Sequence, residues 1–481
     1  MRSRNAAATC LMTLSQSPCD GCRNRRAEGY HGLSVRSNSQ RQQASNQARI
    51  LHHLSPGRRG TYNNGDDMDS PYRFGKLERR MSEPTGPLKG LRVFDLTRVL
   101  AGPTCAQMLA DLGADVIKIE RPGAGDDTRG FAPPFMPGTK ESAYFTGVNR
   151  NKRSVTLDIA QKEGQAIALR LIADCDILVE NFKVGALAKY GLGYEQLHAK
   201  FPRLVYCSIT GFGQTGPYAP RPGYDSLIQG MGGVMSLTGE PDGLPQKVGV
   251  PVADLFAGLY GCIGILAALR HRDLTGQGQQ IDIGMLDTHV AWLANQGMNY
   301  LATGENPVRL GNQHPNIVPY QVFPTADGHM VLSIGNDPTF KRFCEAFALT
   351  HLLEDSRYAT NAARVENRQL VTDTLTPVMQ RHPTLWWIEQ LETLKIGCGP
   401  INKLSEVFAD PHVVARGMVL EMAHPSGNQV KVIANPVKLS ETPADYRLAP
   451  PLLGEHTDQV LRDRLGLDGS ALAALREKGV I

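Results

Sequence analysis

No apolar run in the 481-residue sequence is long enough to suggest a membrane span. The longest, Leu255–Leu269, falls short of the ~20 residues a bilayer demands and follows the charged Asp254 directly. Cysteine is sparse: nine in so long a chain build no dense framework, which argues against a disulfide-stapled secreted scaffold and for a reducing compartment. Cys19 and Cys22 make one C-x-x-C pair, but no second pair follows to complete a zinc site. Missing as well are G-x-x-x-x-G-K-S/T, H-E-x-x-H and G-x-S-x-G, so P-loop phosphoryl transfer and the simplest zinc- and serine-hydrolase readings fall away. The thirteen histidines are scattered, none at helical ligand spacing from another. No metal is expected, and any catalysis rests on carboxylates or backbone groups.

What is present starts with a charge split. The net charge of +4 hides a basic head: residues 1–80 carry 14 Lys and Arg against 6 Asp and Glu, and the remainder carries 37 against 41. A nucleic-acid enzyme would carry its basic face within the fold, so no nucleic-acid partner is expected. The head is rich in Ser, Asn, Gln and Arg and cannot bury enough apolar surface to offset its ordering entropy, which predicts disorder over 1–85. Two other readings stay open for it. It has the composition of an organellar transit peptide, and translation starting at Met81 would remove it. The cytoplasm is the expected compartment, with the mitochondrial matrix as the alternative if the head is a transit peptide.

From Leu88 short β-rich runs alternate with amphipathic segments. Leu91–Thr97, Ala114–Glu120, Ser154–Ile159, Asp176–Asn181 and Leu204–Thr210 read as strands. Pro103–Leu112 and Lys162–Cys175 read as helices, with a shorter one near Gly185–Tyr190. Such alternation predicts an α/β fold around a largely parallel sheet, Rossmann-like in kind. Past Gly276 the texture changes. Met285–Leu301 reads as one long helix, the Pro- and Asn-rich stretch Gly311–Pro319 as a linker, and Gly328–Ile334 as a strand. Helices follow near Pro338–Leu349, Val365–Met379 and Leu385–Leu394, then strands at Val419–Ala423 and Gln429–Ile433 and a terminal helix. No internal repeat stands out.

Gly211-Phe-Gly-Gln-Thr-Gly216 is a literal G-x-G-x-x-G after a strand, but Pro217, Pro220 and Pro222 prevent the helix that a dinucleotide site needs. Those glycines predict a turn or a close backbone approach to some other ligand instead. Asp254 stands before an apolar helix carrying Gly258, Gly261 and Gly264. Spacing alone favours a helix cap; the other reading is a carboxylate nucleophile kept ionised by the helix N-terminus. Arg121 closes the second strand, where doubly wound folds meet the ribose end of a nucleotide; it is either a phosphate ligand or a solvated surface arginine.

Many motifs in order now point one way: Leu96-Thr-Arg-Val-Leu-Ala-Gly-Pro103, Gly113-Ala-Asp-Val-Ile-Lys-Ile-Glu-Arg121, Gly123–Arg129, Asn149–Ser154, Val179-Glu-Asn-Phe182, the Asp254 helix, Gly276–Asp287 and Leu452-Leu-Gly-Glu-His-Thr-Asp458. From about Pro87 to Ile481 the chain resembles the class III CoA-transferases, the family of formyl-CoA transferase and carnitine CoA-transferase. The resemblance implies an interlocked homodimer with a Rossmann-like large domain made from both chain ends and an inserted small α+β domain. The expected boundaries are 86–310 for the first part of the large domain, 311–400 for the small domain with its linker, and 401–481 for the returning segment.

The same resemblance makes Asp254 the catalytic aspartate and places Val99, Ala101, Arg121, Leu157, Asn181, Phe182 and Lys189 at positions that hold CoA. It implies CoA thioesters as substrates and no permanently bound cofactor. Asp225 falls where formyl-CoA transferase has a glutamate near the site, so it is expected as a supporting carboxylate, with a turn or cap aspartate as its other reading. Lys189 stands in place of an arginine, keeping charge but losing the guanidinium fork. The related α-methylacyl-CoA racemases remain the alternative activity, but their Gly-His-Asp is Gly223-Tyr224-Asp225 here, and tyrosine is a poor base near neutrality. Asn312-Gln-His-Pro-Asn-Ile-Val-Pro319 replaces the glycine-rich loop of formyl-CoA transferase, which speaks against formate and oxalate. Gly123–Arg129, Val148-Asn-Arg-Asn-Lys152 and Tyr206-Cys-Ser-Ile-Thr-Gly211 look most like the succinate–hydroxymethylglutarate CoA-transferase branch. The expected reaction moves CoA from succinyl-CoA to a dicarboxylate such as glutarate, with His314 or Arg309 as the cation for the acyl tail.

Overall fold

The computed structural model describes residues 85–481. The basic head, with its C-x-x-C pair, its transit-peptide reading and its alternative start at Met81, lies outside the described residues.

Six strands form the main sheet: β1 (Arg92–Asp95), β2 (Asp115–Glu120), β3 (Lys152–Thr156), β4 (Ile177–Glu180), β5 (Val205–Thr210) and β6 (Gln280–Gly284). All pair in parallel in the order β3-β2-β1-β4-β5-β6. The alternation of each strand divides its side chains between two cores. Val93, Val116, Ile177, Val205 and Cys207 face one side, where α1 (Ala101–Asp111) packs; Phe94, Ile117, Leu178 and Tyr206 face the other, covered by α2 (Lys162–Ile172). Val460, Leu461 and Leu472, from helices Thr457–Leu465 and Gly469–Glu477, complete this second core. The expected terminal helix is thus two helices, separated at Gly466 in the left-handed region.

Near the middle of the chain lie α3 (Asp225–Met231) and α4 (Val252–Thr275). On length and composition α4, with a mean hydropathy of 1.9, would cross a bilayer. It outruns the apolar stretch Leu255–Leu269 because Arg270–Thr275 add a further turn before Gly276 ends the helix at φ 78°. Ala253, Ala257, Gly261, Cys262 and Ile265 on its inner face are buried in the first core. On the outer face Leu259, Ile263 and Leu274 are exposed.

β6, which sequence reading missed, sits at the sheet edge with no fully buried run to announce it. The helix expected over Met285–Leu301 is broken into α5 (Met285–Ala291) and α6 (Ala294–Thr303), because Ala294 takes a positive φ of 46°. Beyond it, β7 (Tyr320–Pro324), β8 (His329–Ser333) and β9 (Gly397–Pro400) form an antiparallel sheet. Its core gathers Phe323, Leu332, Phe343, Leu375 and Trp387. β9 is Gly-Cys-Gly-Pro, with no strand propensity to read, and it takes the edge where proline is tolerated. The two expected strands β10 (Val419–Ala423) and β11 (Gln429–Ile433) pair antiparallel as a hairpin. At the expected helix near Gly185–Tyr190 only a single tight turn, Ala188–Tyr190, forms.

Candidate active site

β1 lies between β2 and β4, so the chain leaves the sheet in opposite directions after these neighbours and opens a crevice at their C-terminal ends. One side chain spans it. The Arg98 N–H donates to Asn181 Oδ1 at 2.9 Å, and Asn181 Nδ2 donates to the Arg98 carbonyl at 2.7 Å. The next residue, Phe182, donates its N–H to Glu180 Oε2 at 2.7 Å. Burial, with Asp282's charge adding to it, pushes Glu180 up to about 7.

Buried charges form the floor. Val99 holds φ at 70°, a left-handed conformation that costs a β-branched residue about 1–3 kcal/mol. Its N–H donates to Asp126 Oδ1 at 3.2 Å, and that oxygen also accepts the Thr128 N–H and hydroxyl at 3.0 and 2.8 Å. The ammonium of Lys118 lies 2.8 Å from Asp126 Oδ2 as an ion pair and directs a hydrogen bond to the Thr97 carbonyl at 2.7 Å. Burial alone would raise Asp126, but the Lys118 charge and the Thr128 donors hold it down to about 2. A second buried lysine, Lys152, pairs with Asp95 at 3.1 Å and donates to the Pro103 carbonyl and Asn149 Oδ1, both at 3.0 Å. Desolvation lowers it to about 8.

The catalytic candidate reaches this floor through a close helix crossing. A Cβ on Gly258 would stand 2.6 Å from the Ala101 carbonyl oxygen, so glycine there lets α4 lie directly on the start of α1. Asp254, in the first turn of α4, therefore shares one cavity wall with Val99, Ala101, Asn181, Phe182 and Tyr224. Asp254 is not the helix cap. Asp225 does that work: its Oδ1 accepts the Ala253 N–H at 2.9 Å. Its Oδ2 accepts from Gln229 Nε2 at 2.8 Å, and the fully buried Gln229 amide accepts the Val248 N–H at 2.9 Å. Burial first, and the negative charge of Asp225 second, push Asp254 up to about 7.

A second cavity, lined by Leu96, Ile119, Arg121, Leu157 and Tyr190, adjoins the first; Arg98 and Phe182 line both, which makes them one groove. Arg121 and Arg98 both donate to Asp127, at 3.3 and 3.2 Å, and Arg98 lies over the Phe182 ring. Six of the seven expected CoA positions thus come together. Lys189 does not: it is exposed, stands over the Tyr190 ring and lines neither cavity. Arg309 donates to the carbonyls of Glu240, Pro241 and Gly243, and His314 stacks on Tyr320 while accepting the Asn316 N–H. Both weak candidates for an acyl-tail cation are engaged locally. Gly211 lies close against the chain's own Gly223: a Cβ there would lie 2.5 Å from the Gly223 Cα. Sequence reading missed Gln229 and the Lys118–Asp126 pair. The signal for the pair lies in the Gly123–Arg129 run, whose acidic residues the motif order alone leaves without a task.

A parallel doubly wound sheet thus places a carboxylate at a helix N-terminus, in a groove that ends at an arginine. Residues 88–457 match CoA-transferase family III, and the chain belongs to that family. It is 49% identical over 386 residues to a succinate–glutarate CoA-transferase of Agrobacterium fabrum, covering 78% of this chain and 95% of that relative. It is 43% identical over 395 residues to a succinyl-CoA:glutarate CoA-transferase of Mus musculus, covering 82% and 90% of the two chains. The crystal structure of a CAIB/BAIF family protein from Brucella suis superposes with a TM-score of 0.70 at 47% identity, over 79% of this chain and all of that one.

Proposed function

We propose that this enzyme moves CoA from succinyl-CoA to glutarate, with Asp254 as the nucleophile. The observation that carries the reading is the position of Asp254 at the inner end of the Arg121–Phe182–Val99 groove, supported by the activities of the two relatives. Val99, Ala101, Asn181 and Phe182 line the path of the thioester arm, and Arg121 and Leu157 flank the nucleotide end.

The Asp254 carboxylate attacks the thioester carbonyl of succinyl-CoA, the C–S bond breaks, and CoA leaves as the thiolate. The thiolate then attacks the aspartyl carbonyl of the mixed anhydride, releasing succinate and leaving CoA on Asp254 as a thioester. Glutarate attacks that thioester, expels the thiolate and forms a glutaryl anhydride. Return of the thiolate to the glutaryl carbonyl releases glutaryl-CoA and restores the carboxylate. No proton is gained or lost over the cycle, and water must be kept from both anhydrides. The turn around Gly211 and Gly213 offers backbone N–H groups of the kind that stabilise the oxyanions. Asp225 supports the nucleophile by holding the first turn of its helix.

The reading includes a homodimer in which two Rossmann-like chains interlock. Leu259, Ile263 and Leu274 on α4, with Val290, Met298 and Leu301 on the next two helices, are large apolar side chains that a second copy would cover. Mass spectrometry of CoA products tests the activity: succinyl-CoA supplied with glutarate, hydroxymethylglutarate, malate and itaconate should disappear as glutaryl-CoA forms. An unchanged CoA pool overturns the assignment. Racemisation is not favoured, since Tyr224, at the position of the racemase histidine, is 69% exposed on the rim.

A further inference from the structure

Among the described residues five other than glycine have a positive φ: Val99, Asn151, Ala294, Ala348 and Lys395. Val99 is the β-branched one, and it borders the cavity that contains Asp254. Left to its own preference, valine would relax to extended backbone and swing the peptide between Arg98 and Val99 away from the groove. Something must over-determine the conformation.

We propose that Asp126, clamped by Lys118, is a positioning residue that holds Val99 in its left-handed conformation and so fixes the Val99–Ala101 rim along which the CoA thioester is presented to Asp254. The proposal rests on the CoA-transfer reading and adds to it a residue whose role is to shape the rim. Three consecutive residues are pinned from different sides. Lys118 holds the Thr97 carbonyl, Asn181 brackets the Arg98 peptide, and Asp126 takes the Val99 N–H. Asp126 cannot drift, because its second oxygen faces the same ammonium that holds Thr97, and both side chains are wholly buried.

The backbone of Asp126 is fixed in turn. Its N–H donates to Glu120 Oε2 at 2.9 Å, and Arg129 grips Glu120 with two bonds of 2.8 Å. Gly125, at φ 69°, makes room for this: a Cβ there would stand 2.8 Å from Arg129 Cδ and 2.9 Å from Glu120 Oε2. The run Gly125-Asp126-Asp127-Thr128-Arg129 therefore divides its labour. Arg129 holds Glu120, Glu120 holds Asp126, Asp126 holds Val99, and Asp127 alone turns outward to Arg98 and Arg121.

Asp126→Asn, Val99→Gly and the double variant test the proposal by thermal unfolding and by steady-state kinetics with succinyl-CoA. An amide cannot offer acceptor oxygens both to Lys118 and to the Val99 N–H, so Asp126→Asn should raise KM for the thioester roughly tenfold, with kcat changed less. Glycine adopts the left-handed region without strain, so adding Val99→Gly should recover part of both the lost Tm and the raised KM. If Asp126→Asn alone does not fold, a double variant that does fold is the same coupling in stronger form. Additive effects overturn the proposal, as does a double variant that fails to fold where the single fails. Coupling in Tm with an unchanged KM also overturns it, leaving a purely structural clamp. A wild-type enzyme inactive on every CoA thioester sinks the transfer reading itself, and shows this before any variant is made.

Discussion

Asp225 caps the helix that carries Asp254, its Oδ1 accepting the Ala253 N–H at 2.9 Å from 28 residues away in sequence. The carboxylate that holds the first turn of the Asp254 helix also opposes the ionisation of Asp254, since its charge adds to burial in raising it. Asp225→Asn should therefore move the acid limb of the kcat/KM profile to lower pH, while the altered hydrogen bonding to Gln229 reduces kcat. A limb that stays where the wild type has it would show that Asp225 acts on geometry alone.

Asp254 keeps its proton to about 7, against an ordinary value of 3.8. Between those values the folded chain binds a proton that the unfolded chain has released, so this group makes stability fall as pH rises through the window. Asp254→Asn should abolish CoA transfer and, by about 1–2 °C, raise Tm at about pH 8 while leaving it unchanged at about pH 3. Scanning calorimetry at the two pH values checks the sign.

Gly258→Ala places a methyl 2.6 Å from the Ala101 carbonyl, a backbone atom that cannot rotate away. α4 must lift from α1, costing about 1–3 kcal/mol and separating Asp254 from the rim. Gly264→Ala is the control. Its nearest contact is the Ile281 Cγ2, a side-chain methyl at 2.9 Å, and it should lose less activity for a similar change in helix propensity.

Ile263 is 60% exposed in the middle of the apolar face of α4. If the proposed homodimer uses this face, Ile263→Asp should shift it to smaller or aggregated species in light scattering, because a charge would be buried in the contact. A variant that scatters like the wild type would remove α4 from the interface.

The parallel sheet was legible because each strand alternates: Val93 and Phe94, Val116 and Ile117, Val205 and Tyr206 point to opposite cores. The motif order singled out Asp254 and six residues that line one groove with it. Asp225 carried a cap reading, but which helix it caps was not legible, because it reaches Ala253 past its own helix and the turn Val234–Leu237, and no local pattern records that. Val99 looks like an ordinary strand-end residue in sequence; its left-handed backbone depends on Asp126, 27 positions on. Lys189 stands apart from the two cavities, since a matching position fixes the charge of a side chain but not its direction, and here it lies over Tyr190. β9 was invisible because its residues have no preference for the strand that β8 imposes on them.

The face of the sheet that Val460, Leu461 and Leu472 cover has a cost in time. Thr156 at the end of β3 donates its N–H to Thr457, 301 residues later. At a synthesis rate of ~5–20 residues per second, the strands already made wait ~15–60 s on the ribosome before the rest of their cover emerges. Through that interval α2 covers that face without Val460, Leu461 and Leu472, and the core around Ile117, Val155 and Leu178 stays incomplete until the last helices arrive.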